Sequence, residues 1–298
     1  MNRLSLIISD LWLIFQKSHL SVLKRLRLLF LYLVVVFKRL LDGRLNIFDF
    51  SKQKVFGHRV YVDSYNSFYW TFREIFIHED YYFRADNDEP YIIDCGGNTG
   101  IGLFYYKILY PKARILIFEP HPYNFELIKK NIKENSFKDV VAVNKAVAKE
   151  DGVIKFYGGD RAGTLSEEFA TEKGKKKKSH FEDVIDVEAE KLSNYIEDDV
   201  VDFLKIDIEG AEVDVLQDLD IRNKFNLIKQ VTVEYHFFSF ERNRASEVLD
   251  ILNKNKFYLV CIGTESSVTE AFLGKINRTC VPRNCTFMII GKKKIGSS

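Results

Sequence analysis

Proline is scarce in this chain, with five in 298 residues. That argues against long disordered tracts. Cysteine is scarce too: Cys95, Cys261, Cys280 and Cys285 are the whole complement. They form no Cys-x-x-Cys pair and no zinc-type Cys/His spacing, so a structural metal is not expected. Cys95 reads as a small buried residue. Cys280 and Cys285 could face each other across a hairpin, but a reduced cytosolic pair is the better reading. Apolar runs are short. The stretch Leu28 to Phe37 is ten residues long, where a spanning helix needs roughly 20. A signal peptide would need an earlier apolar core and a small-residue cleavage site, and neither is present.

The apolar fraction of 46% and charged fraction of 29% suit a folded soluble protein. The net charge of +2 hides an uneven distribution. Residues 1–44 hold eight basic side chains against Asp10 and Asp42, and the remainder is slightly acidic. Residues 1–45 read as a basic, apolar leader of two or three helices. An interfacial helix, a partner-binding helix and ordinary packing all stay open for it. Residues 46–90 form a connecting region rich in aromatics, best read as core and cover. The basic residues form a leader and a loop, not a stripe interleaved with stacking aromatics, so nucleic acid is not expected as a partner.

From residue 91 to 298 the pattern alternates strand and helix. Strands are expected at Tyr91–Cys95, Arg114–Phe118, Val140–Asn144, Gly152–Tyr157, Val201–Ile206, Leu227–Glu234, Phe257–Ile262 and Thr286–Ile290. Helices are expected at Ile101–Leu109, Pro122–Asn135, Ala211–Leu219 and Ala245–Lys254. The alternation predicts an α/β fold, a mostly parallel sheet with helices on both faces. Residues 158–183 break the rhythm with Lys173-Gly174-Lys175-Lys176-Lys177-Lys178. They read as a solvated loop or as a lid that attracts an anionic substrate.

Four constellations fall at expected strand ends, where such sheets bind ligands. The first is Asp94 with Gly96, Gly97, Asn98 and Gly100. Its spacing is neither Gly-x-Gly-x-x-Gly nor a P-loop, which points to a nucleoside ligand rather than a pyrophosphate. The second is Glu119 in Phe118-Glu119-Pro120, placed to grip a ribose diol. The third is Lys205-Ile206-Asp207-Ile208-Glu209-Gly210-Ala211-Glu212. Alternation puts Lys205 and Asp207 on one side, and Glu209 with them if the chain stays extended. These acids could orient a hydroxyl, act as a base, or bind a divalent cation, while Glu212 could instead complement a helix dipole. The fourth is Glu234-Tyr235-His236, where His236 is a candidate base.

Asp94-Cys95-Gly96-Gly97-Asn98-Thr99-Gly100, Phe118-Glu119-Pro120, Asn144-Lys145-Ala146-Val147 and the 205–212 element resemble the FkbM-type methyltransferases over roughly residues 85–265. The resemblance implies a Rossmann-like domain and S-adenosylmethionine (SAM) as methyl donor. It implies that Asp94 to Gly100 lie against the methionine part of SAM and Glu119 against its ribose. It puts Asn144 to Val147 near the adenine, Asn144 and Ala146 among them. It also implies O-methylation of a hydroxyl on a sugar, glycan or other small-molecule acceptor. His236 or Asp207 would then act as base, Glu209 and Glu234 would orient the acceptor or hold a cation, and Lys205 and Glu212 would contact substrate. The basic leader and the lysine-rich loop depart from the family pattern. The expected setting is the cytoplasm, with attachment to the inner face of a membrane left open. Two other readings compete: a non-catalytic interaction module in a membrane-associated glycan-assembly complex, and nucleotide-dependent oxidoreduction.

Overall fold

The computed structural model describes residues 3–41, 51–158, 163–164, 183–238, 244–263 and 284–293. The chain divides into two compact units. The first comprises Met1–Tyr82, Thr99–Pro111 and Glu126–Phe137, and the second holds the rest.

The first unit begins with helices α1 (Arg3–Gln16) and α2 (Val22–Leu41). A hairpin of β1 (Lys52–Val55) and β2 (His58–Tyr61) follows, and then α3 (Tyr65–Phe72). Ser64 caps α3 by accepting the Ser67 N–H, which satisfies one of the free donors of a helix start. The unit also takes in α4 (Ile101–Leu109) and most of α5 (Pro122–Glu134). Its core is aromatic. Tyr65, Phe68, Tyr69 and Phe72 are buried, Phe72 stacks on Phe76 at 4.8 Å, and Phe76 meets Tyr105 edge-on. Asp10 of α1 is fully buried, and it accepts from the Tyr32 hydroxyl (2.8 Å) and the Arg73 guanidinium.

The second unit is built on a seven-stranded sheet. Its strands in chain order are β3 (Tyr91–Cys95), β4 (Arg114–Phe118), β5 (Val140–Val143), β10 (Phe203–Ile206), β11 (Gln230–Phe238), β12 (Phe257–Gly263) and β13 (Asn284–Lys293). Their spatial order is β12-β13-β11-β10-β3-β4-β5. The block β11-β10-β3-β4-β5 is parallel, and β13 runs antiparallel to both neighbours. Ile92, Ile93, Ile117, Leu204, Ile206, Val231 and Val233 are fully or almost fully buried, as expected for parallel strands covered on both faces. The strand order turns at β3: β4 and β5 lie on one side of it, β10 and β11 on the other. A crevice at the carboxyl ends of β3 and β10 follows from that reversal. The unit also contains helices α6 (Glu212–Ile221) and α7 (Ala245–Lys254).

A second, four-stranded sheet was not expected. It joins β6 (Ala146–Val147), β9 (Asp183–Glu190), β7 (Gly152–Gly158) and β8 (Gly163–Thr164), in that order. Phe156, Val187 and Ala189 form a small buried core with Ala146 and Ala148. Most of the lysine-rich stretch lies outside the described residues, as do Cys280 and the Cys285 side chain. Among the described residues, no helix is long and apolar enough to cross a membrane.

Two expectations need correction. His236 does not end a strand: β11 runs on to Phe238, because β13 pairs with it beyond Glu234, with His236 opposite Thr286. The chain also does not stay extended after β10. Glu209 takes a left-handed φ of 56° and Gly210 a φ of 119°.

Candidate active site

The site grows from the ends of β3 and β10. The Gly96 and Gly97 N–H groups donate to the Phe118 carbonyl, and Asp207 N–H donates to the Cys95 carbonyl. Gly96 has φ +91°, and a Cβ there would lie 1.8 Å from the Asp207 carbonyl oxygen. Only glycine fits. The close approach at Gly96 is therefore by the chain's own backbone. Gly100 serves packing in the first unit: with φ +82°, its Cβ would lie 3.0 Å from Ile128 Cγ1.

Lys205 ties the two strand ends together. Its ammonium sits 3.2 Å from Asp94, 3.2 Å from Asp207 and 2.5 Å from the Gly96 carbonyl. Burial alone would lower its pKa, but Asp207 and Asp94 outweigh burial and hold it above the usual lysine range. Asp94 is 1% exposed and Lys205 2%. Neither side chain lines the cleft. The pair lies beneath it as an internal brace.

Glu119 follows β4 and is almost fully buried. Its carboxylate accepts the Asn98 N–H at 2.7 Å and the His121 N–H at 2.9 Å. Burial pushes its pKa up to about 7, against the lowering by those hydrogen bonds, by Lys205 and by Asn124. Asn98 takes a left-handed φ of 48° and so turns its N–H to the carboxylate. The Asn144 side chain donates to the Glu119 and Pro120 carbonyls. It braces that turn and does not line the cleft.

The cleft is shallow, with a free volume of about 90 Å³, below the several hundred Å³ of a typical small-molecule pocket. Gly96, Asn98, Glu119 and Ala146 line one part of it, and Asp207, Ile208 and Glu209 another. Lys145 and Val147 of the 144–147 element also line it, together with Phe118, Pro120, Asn124 and Phe156, to which sequence reasoning gave no role. Val147 and Phe156 belong to β6 and β7 of the second sheet. The alternation of buried Val187 and Ala189 with exposed Glu188 was the available signal for that sheet. Gly97 is not among the lining residues.

His236 stands 3.0 Å through Nδ1 from Glu212. Glu212 is 1% exposed and also accepts the Gly210 N–H at 3.0 Å. This leaves Nε2 facing Glu209 (3.8 Å), Asp207 (3.9 Å) and Glu234 (3.9 Å). Burial works to lower the His236 pKa, but Glu212, Glu209 and Asp207 more than reverse it, and the group is held well above the usual histidine value. Ligand atoms of Asp207, Glu209 and His236 lie within 4.8 Å of one another. One nitrogen and two carboxylate oxygens so close together can hold a divalent cation. Of the acids and bases singled out in the sequence, the fold thus brings Asp207, Glu209, Glu212, Glu234 and His236 into one cluster. It places Lys205 and Asp94 below the cluster and Glu119 elsewhere on the cleft.

Residues 94–259 match the methyltransferase FkbM domain. The chain is similar to Methyltransferase 1 of Beauveria bassiana (strain ARSEF 2860), with 30% identity over 177 residues that cover 54% of this chain and 71% of the relative. It is similar to Methyltransferase sdnD of Sordaria araneosa, with 29% identity over 189 residues, 55% of this chain and 73% of the relative. Among solved structures it resembles the FkbM methyltransferase of Methylobacillus flagellatus KT, at 13% identity and a TM-score of 0.43, over 70% of this chain and 45% of that one. Membership of such a family implies SAM as methyl donor. Because the matched domain spans more than half of the 298 residues, this chain belongs to the FkbM methyltransferase family.

Proposed function

We propose that the protein transfers the methyl group of SAM to a hydroxyl oxygen of a sugar, glycan or other small-molecule acceptor. One observation carries the reading: Asp207 and Glu209 line the same cleft as Asn98 and Glu119, and His236 Nε2 lies 3.9 and 3.8 Å from the Asp207 and Glu209 carboxylates. The residues suit SAM. The buried Glu119 carboxylate can accept from both ribose hydroxyls with the lone pairs its two backbone donors leave, and Ala146 and Phe156 give an apolar wall for an adenine. SAM supplies a methyl group already activated on a sulfonium.

The chain's own task is then to fix the acceptor oxygen about 3 Å from the methyl carbon and to take its proton. Asp207 and Glu209 present carboxylate oxygens to which an acceptor hydroxyl can donate. The proton passes to the cluster, where His236 or Asp207 is the accepting group. A divalent cation held by Asp207 and Glu209 would displace any proton on His236 Nε2, take that nitrogen as a third ligand and polarise the acceptor oxygen.

The decisive experiment incubates the protein with methyl-labelled SAM and a panel of hydroxyl and amine acceptors, with and without chelator. Label in an alkali-stable methyl ether supports the reading. Label confined to amines overturns O-methylation, and SAM binding without any transfer favours an interaction module.

A further inference from the structure

The two leading helices of the first unit carry an apolar surface that faces outward. On α2 the inward side is Leu28, Leu31, Tyr32 and Val35, all buried. The opposite side is also apolar. Leu26, Phe30, Leu33 and Phe37 follow at steps of four, three and four residues, a single helix face, and are 46–71% exposed. On α1 the inward side is Asp10 and Ile14, while Trp12 and Phe15 are 63% and 56% exposed. A helix apolar on both sides has found only half of its burial. Monomers rarely leave so many large side chains exposed together unless the patch is used.

Charge indicates what covers it. Lys24 and Arg27 are exposed on α2, and the sequences of both helices contain Asp10 as their one acid. Asp10 is buried and bonded to Arg73 and Tyr32. Arg27 borders this face, and two copies meeting through it would bring the two Arg27 side chains together with no acid of either helix to answer them. An anionic lipid surface offers both an apolar layer and negative charge. Among the described residues no helix is long and apolar enough to cross a membrane: the uninterrupted apolar run of α2 covers about 15 Å at 1.5 Å per residue, half of a hydrocarbon core of about 30 Å.

We propose that α1 and α2 lie in the interface of an anionic membrane, with Trp12, Phe15, Phe30 and Phe37 entering the acyl boundary and Lys24 and Arg27 meeting lipid headgroups. This goes beyond the catalytic reading and does not depend on it.

The test is co-sedimentation of the full chain with phosphatidylcholine vesicles, with and without about 30% phosphatidylglycerol. Binding to the anionic vesicles, weakened by salt, is expected. Trp12 emission should shift to the blue on binding in a Trp70→Phe background. Joint Trp12→Glu and Phe30→Glu substitution should lower vesicle affinity at least tenfold, and Lys24→Glu with Arg27→Glu should abolish the preference for anionic lipid. Thermal unfolding of each variant establishes that it is folded. Native protein that stays in the supernatant overturns the proposal, and so does a native dimer that the stripe substitutions dissolve while vesicle binding is nil.

Discussion

The buried Glu212 carboxylate holds the His236 ring by Nδ1 at 3.0 Å, so that Nε2 is the nitrogen presented to Asp207 and Glu209. Glu212 is thereby a positioning residue and His236 a working one. His236→Ala should lower turnover by about 10²-fold or more, the range that acid–base groups supply, and leave SAM affinity intact. Glu212→Gln keeps the shape but loses the charge that orients the ring. It should lower turnover less and change its pH profile. Steady-state kinetics across pH with parallel SAM titration check both, and unchanged turnover in His236→Ala would remove it from the chemistry.

Lys205 and Asp94 form a buried pair whose partners depend on each other. Lys205→Met would leave Asp94, 1% exposed, as a charge without its cation. Loss of one partner of a buried pair costs about 3–5 kcal/mol. Urea denaturation should register that loss. A change of less than about 1 kcal/mol, as for an exposed pair, would show that the brace is dispensable.

Two glycines with left-handed φ should respond unequally to alanine. At Gly57, φ is +99° and nothing lies within 4 Å of the added Cβ, so only the backbone penalty of about 1 kcal/mol applies. At Gly96 the Cβ would fall 1.8 Å from a backbone oxygen. Gly96→Ala must push β3 and β10 apart and should destroy SAM binding or the fold. Equal melting temperatures for the two variants would contradict the close approach.

Glu119 gives a pH signature with two opposed parts. Its folded pKa of about 7 is raised from 4.5 by burial. The stability it contributes is present below the unfolded value and is lost as pH rises through about 7. Ribose hydroxyls donate best to the ionised carboxylate, so SAM affinity should rise over that same interval. Glu119→Gln should flatten both curves and weaken SAM at high pH. Calorimetry and thermal unfolding between pH 5 and 8 measure the two.

Much of the fold was legible because its signals are local. The strands Tyr91–Cys95 and Arg114–Phe118 and the helices Ile101–Leu109 and Ala245–Lys254 have the bounds that the pattern predicts. The second sheet was not, because β6 has only two residues and pairs with β9 more than 35 residues later. The acids of the 205–212 element were visible as a group, but their division of labour was not. Whether Glu212 meets substrate or His236 depends on the left-handed turn at Glu209–Gly210 and on the extension of β11 by β13. The extension of β11 is set by long-range pairing. Lys205 likewise reads as an available cation until Asp94 is placed beside it.

The central claim is that SAM occupies the cleft beside Glu119. Titration of SAM into the native protein and into Glu119→Ala by calorimetry tests it most directly. Saturable binding to the native chain is expected, with a loss of about 10- to 100-fold in the variant, the equivalent of about 1.5–3 kcal/mol for hydrogen bonds to a charged group. No binding by the native protein, or equal affinity in both, would contradict it.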